Sequence, residues 1–251
     1  MSNGNRGKNQ ENCSSIARPP HIRHRVIQTR NTCSRAVLHE DTIIIRLARN
    51  LSQEERREHI RSLLRRMMEQ VLKEQRKKRI TPFRHLLEGG ETLTLQTRSG
   101  KTYRFLLTPE QRTKVTPLKG KQNGWIVYIG PHLRRPALHR LLWNLLARAE
   151  VQHVEKIVCA VNRKTLRVPI YGVKLAFTRS QWGSCSTKGI IMLNTALLFL
   201  PKNILHYVIV HELAHRLVHN HSPRYWETLK HAIPNYRRAY QELQNYRLPS
   251  L

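Results

Sequence analysis

The chain has 251 residues, 39% of them hydrophobic, and carries 45 Lys and Arg against 16 Asp and Glu, for a net charge of +29. That is enough apolar material for one large domain or two small ones. No apolar run reaches the roughly 18 residues of a membrane span, and no continuous apolar stretch near the start reads as a secretory signal, so a cytoplasmic location is expected. The four cysteines, Cys13, Cys33, Cys159 and Cys185, form no CxxC pair; a zinc knuckle and a disulfide framework are both disfavoured. The positive excess is spread along the chain, and Asp41 is the only aspartate. Such a surface attracts polyanions, which makes nucleic acid a possible partner on charge alone.

Residues 1–34 are polar and basic, with Pro19 and Pro20 excluding a helix there; disorder is expected. "RAVLHEDTIIIRLA" (35–48) reads as one or two strands, favoured by Ile43, Ile44 and Ile45. Ser52 and Glu55 form a capping box, and the apolar spacing from Ile60 to Leu72 predicts one long amphipathic helix ending near the basic run 76–79. Alternation on both sides of Ser99-Gly100 predicts a hairpin over 91–108, and "GWIVYIG" (124–130) a further strand. From Pro136 the period becomes helical, with a possible break before Val154. "GVKLAFT" (172–178) and "GIIMLN" (189–194) read as strands joined by the turn-rich "RSQWGSCSTK", and after Pro201 the chain reads as helical to the end.

The chemistry concentrates in "VIVHELAHRLVHNHSPRYW" (208–226). His211 and His215 are four apart and share one helix face, so their imidazoles can converge on a zinc ion at about 2.0–2.1 Å. Glu212 lies about 100° around the helix; it is poorly placed to be a ligand and well placed to polarise a water, the division of labour of HExxH hydrolases. In this composition an HExxH arises by chance about 0.05 times per chain, and two unpartnered imidazoles on a buried face would be costly. A third ligand is needed. His219 would sit about 12 Å from His211 along a straight helix. His221 can fold back if the helix ends at Asn220 and a new one begins at Ser222-Pro223. Glu227 and then His219 are the runners-up.

With "WGSCS" (182–186), "LN" (193–194), "HELAH" (211–215) and "NHSPRYW" (220–226) in this order, the sequence resembles the YgjP-like metallopeptidase family, relatives of the SprT-like and WLM minimal zincins. The likeness is strong over about 172–246 and weaker back to about 35. It implies an α+β fold: a compact zincin-like core with the HExxH active-site helix packed on a small, mainly antiparallel sheet. Residues 35–251 would form the domain, strand-rich over 35–130, helical and catalytic over 131–251. It also implies that His221 matches the family's third histidine. Tyr225 stands where phenylalanine is common. With so few acids, the outer ring nitrogens of the ligands must find a glutamate or backbone carbonyls.

These readings converge on a zinc-dependent peptidase with one Zn²⁺ on His211, His215 and His221, and with Glu212 as general base. Its substrate is a peptide or protein, with nucleic-acid-associated proteins as one version suggested by the charge. The resemblance implies an edge strand beside the site that would hold an extended peptide; Gly183, in the turn-rich segment joining the two strands, would let backbone approach closely, and His219, Arg224, Tyr225 and Tyr236 are candidates to stabilise an oxyanion. Trp182 reads as a packing anchor and Cys185 as a small buried thiol. An alternative keeps the metal but hydrolyses a nucleotide or other phosphorylated substrate, though no Walker-type loop supports it. A nucleic-acid-binding module with a structural zinc would have no use for Glu212.

Overall fold

The computed structural model describes residues 23–39, 42–120 and 122–249. They form two compact units, the first ending at Arg76 and the second beginning at Lys77.

In the first unit, β1 (Arg23–Gln28), β2 (Arg35–His39) and β3 (Thr42–Leu47) make a sheet in the order β1-β3-β2, followed by helix α1 (Gln53–Arg76). Ile43, Ile45 and Leu47 are buried against Ile60, Leu63, Leu64, Met67 and Met68 of α1. The capping box forms as expected. The Ser52 backbone N–H donates to Glu55 Oε2 at 2.7 Å, and the Glu55 N–H donates to Ser52 Oγ at 3.2 Å. Strand β1 corrects the expectation of disorder over 1–34. Its own sequence is too basic to signal a strand, and it is ordered by parallel pairing with the apolar β3. The rest of the disorder expectation, residues 1–22, lies outside the described residues.

The second unit begins with β4 (Lys78–Arg79) and the single turn α2 (Arg84–Leu87). The expected hairpin follows as β5 (Thr92–Gln96) and β6 (Thr102–Pro109), turning at Gly100, whose φ of 89° suits glycine. Next come β7 (Lys114–Pro117) and β8 (Gly124–Ile129), completing a sheet in the order β5-β6-β8-β7. Helix α3 (Arg135–Lys164) runs unbroken past the expected interruption. There the buried Glu150 accepts hydrogen bonds from Tyr103 Oη at 2.7 Å and Lys101 Nζ at 3.3 Å, so an acidic residue continues the inward face.

Strands β9 (Gly172–Ala176), β10 (Gly183–Cys185) and β11 (Ile190–Asn194) form a small sheet in the order β10-β11-β9. The α+β class is as expected, but this sheet is mixed rather than mainly antiparallel: β10–β11 is antiparallel and β11–β9 parallel. After a 3₁₀ turn (Thr195–Phe199) come α4 (Lys202–Ala214), α5 (Pro223–Ala232), α6 (Tyr236–Leu243) and β12 (Tyr246–Arg247), which pairs with β4. The core joins Phe83, Phe105, Trp143, Leu193, Ile204 and Ile209, all fully buried. Burying each contributes about 1.5–3 kcal/mol. Helix α4 packs against β10, β11, α3, α5 and α6, which is why its sequence is apolar almost all round. Among the described residues, no helix is long and apolar enough to cross a membrane.

Candidate active site

Helix α4 ends sooner than its sequence suggests. His215 is its C-cap, and the N–H groups of Arg216, Leu217 and Val218 close tight turns onto Leu213 and Ala214. Asn220, the expected end of the helix, does not have the positive φ of a left-handed helix cap. Ser222 and Pro223 do open α5 as N-cap and first-turn residue. The seven residues between the end of α4 and Ser222 bring His221 back over the last turn of α4, against Tyr225 and Trp226 at centroid distances of 4.7 and 5.8 Å.

His211, His215 and His221 thereby converge, with one ring nitrogen from each lying within 4.8 Å of the others. His211 Nε2 and His221 Nε2 are 3.3 Å apart. Tetrahedral zinc with bonds of about 2.0–2.1 Å would set its ligand nitrogens about 3.4 Å apart, so this donor set fits such an ion. Glu227 and His219 are exposed and are not part of the cluster. Cys185 is also outside it; its Sγ lies 3.6 Å from the Ser186 carbonyl.

The outer nitrogens decide which atoms face inward. His215 Nδ1 lies 3.2 Å from the Val218 carbonyl, which can only accept, so Nδ1 carries the proton and Nε2 keeps its lone pair. Tyr225 Oη is 3.1 Å from the His211 carbonyl and 2.6 Å from His211 Nδ1. A hydroxyl has one proton to give. Donated to the carbonyl, it leaves Oη to accept from Nδ1–H, and His211 Nε2 is again unprotonated. A phenol and a backbone carbonyl thus fill the place often taken by carboxylates. Tyr225 is fully buried, and both contacts of its hydroxyl are to His211. The sequence identified Tyr225 as a departure but not its effect on His211. Tyr207, one turn before His211, also lies near, with Oη 3.5 Å from Nδ1.

Burial, with His215 and His221 nearby, lowers the His211 pKa to about 4. Burial also lowers that of His215, opposed by the Val218 carbonyl. Both rings are therefore held in the neutral form that ligates metal. Glu212 is 5% exposed, and burial raises its carboxyl to about 8; a cation held by the histidines would draw it back toward the carboxylate.

Gly183 lies against this carboxyl. A Cβ at Gly183 would come within 2.6 Å of Glu212 Oε1. The glycine expected to admit a peptide backbone therefore makes room for the Glu212 side chain itself. Asn194 fixes the loop that leads into β10. Its Nδ2 donates to the carbonyls of Thr178 at 2.8 Å and Gln181 at 3.0 Å, while its Oδ1 accepts from the Ala196 N–H at 3.0 Å. Trp182 packs on the core as expected.

A core of this kind, with HExxH on a buried helix and a third histidine returning from the following turn, points to a metallopeptidase. The model of the YgjP-like, metallopeptidase domain family matches residues 33–246, and the chain belongs to that family; it is a metallopeptidase. Comparison with curated proteins gives no match. Two solved structures share a partial likeness. The metallopeptidase zymogen of Pyrococcus abyssi abylysin is 22% identical with a TM-score of 0.33, covering 38% of this chain and 98% of that one. The zymogen of Methanocaldococcus jannaschii jannalysin is 19% identical with a TM-score of 0.33, covering 36% and 92%.

Proposed function

We propose that the chain is a zinc-dependent peptidase in which His211, His215 and His221 hold one ion and Glu212 is the general base. The observation that carries this reading is the convergence of one ring nitrogen each from His211, His215 and His221, with the buried Glu212 next to His211 on the same helix. A bound zinc ion would lower the pKa of a coordinated water and polarise the scissile carbonyl. Glu212 takes the proton of the attacking water and passes it to the leaving amine. Gly183 keeps the carboxyl at the edge of β10, and Tyr225 and the Val218 carbonyl aim the two helix imidazoles.

The substrate is a peptide or protein segment in extended form. Among the described residues strand β10 is paired only through β11, so its other edge can accept a further strand by backbone hydrogen bonds, alongside the helix that carries Glu212. Nucleic-acid-associated proteins are favoured substrates on the strength of the net charge of +29. The test is Glu212→Gln. It should bind zinc as the parent does and lose turnover on unfolded protein or peptide substrates by at least about 100-fold; retained turnover would remove Glu212 from the mechanism.

A further inference from the structure

The sheet of the first unit has two chemically different faces, and its register separates them. Ile43, Ile45 and Leu47 point toward α1, so the alternate residues of β3 point the other way. Residues directly opposite one another share a face. Thr42 lies between Arg23 and His39, Ile44 between Arg25 and Val37, and Arg46 between Ile27 and Arg35. Among the described residues the face turned away from α1 is thus a three-by-three grid carrying four arginines and no carboxylate. Arg23, Arg25 and Arg35 are exposed and Arg46 half-buried. None of the four forms an ion pair among the described residues.

The absence of interspersed acids distinguishes this face from helix α1. Helix α1 is also rich in arginine but intersperses Glu54, Glu55, Glu58, Glu69 and Glu74. On the sheet the charges run along β1 from Arg23 to Arg25, then across to Arg46 and Arg35. Neighbouring strands are about 4.8 Å apart and alternate residues about 6.6 Å. Arg46 and Arg35 are direct cross-strand partners, an arrangement that costs stability when like charges stand unneutralised. A line of guanidiniums a few ångströms apart, with no acid among them, matches a polymer of closely spaced negative charges.

We propose that this face binds the phosphodiester backbone of a nucleic acid, with Arg23, Arg25, Arg35 and Arg46 on phosphates and Ile44 and Val37 against the sugars between them. These contacts reach only phosphate and sugar, so binding is indifferent to base sequence. The interface does not depend on the metal site, and its test reads binding rather than turnover.

The experiment uses the full chain and fluorescence anisotropy with labelled single- and double-stranded oligonucleotides across a salt series. Arg→Gln at 23, 25, 35 and 46 together should weaken binding at least about tenfold at 100 mM salt and flatten the log–log salt slope by about 3. Arg→Gln at 57, 61, 65 and 66 of α1 removes the same charge from another face and should leave the slope within about one of the parent. Arg→Lys at the four sheet positions should keep most of the affinity, and circular dichroism should show each variant folded. Equal losses from the two Gln sets would mean diffuse attraction and overturn the proposal. So would absence of binding by the parent at about 50 mM salt, or a sheet set that reduces binding to anionic vesicles and leaves oligonucleotide binding unchanged.

Discussion

Replacing Gly183 by alanine tests the placement of Glu212 with a single added carbon. Gly183 has no positive φ, so alanine brings no backbone strain. The new Cβ would lie 2.6 Å from Glu212 Oε1, 2.8 Å from Cγ and 3.0 Å from Cδ. Ordinary contact begins at 3.4 Å, so the carboxylate must withdraw by about 0.8 Å or β10 must move by as much. Overpacking of this kind costs about 1–3 kcal/mol of stability. A shift near 1 Å at a reacting group can lower the rate by about 100-fold. The three histidines are untouched, so zinc affinity should stay within about twofold of the parent. The assay is kcat/KM on a quenched fluorescent peptide, beside metal content and Tm. A Gly183→Ala enzyme with kcat/KM within about threefold of the parent would refute the argument that this contact positions the base.

Tyr225→Phe removes only the hydroxyl that holds His211 and keeps the buried ring; zinc affinity should fall by about 10- to 100-fold with little change in Tm, and unchanged affinity in a competition titration would show that His211 is aimed by something else. Asn194→Ala removes the ties to Thr178, Gln181 and Ala196; a loss of about 2–4 kcal/mol is expected, read as a lower denaturant midpoint with zinc stoichiometry retained, and an unchanged midpoint would mean that the loop is held without it.

Much of this site was legible because its signals are local. HExxH needs only helical spacing, the capping box at Ser52 spans four residues, and the hairpin at Gly100 announces its own turn. Features that depend on distant partners were not legible. The basic β1 is a strand only because β3 lies beside it. The short β7 ends in Pro117 and is defined by pairing with β8. The stretch "GSC" reads as a turn, yet it pairs with Leu193, Met192 and Ile191 as β10. The continuity of α3 before Val154 was not legible because the partners that let Glu150 be buried there, Tyr103 and Lys101, are far away in sequence. Within the site, spacing pointed to His221, but nothing local indicated that the Tyr225 hydroxyl would fix a ring fourteen residues earlier.

The central claim is that one metal ion sits on His211, His215 and His221, and metal content by mass spectrometry on the purified full chain tests it most directly. The parent, reconstituted with zinc and dialysed, should hold one equivalent; His221→Ala should lose it or bind it at least about 100-fold more weakly, while His219→Ala and Glu227→Ala should match the parent. A His221→Ala chain that retains one tightly bound zinc, or a parent that binds none after reconstitution, would contradict the account.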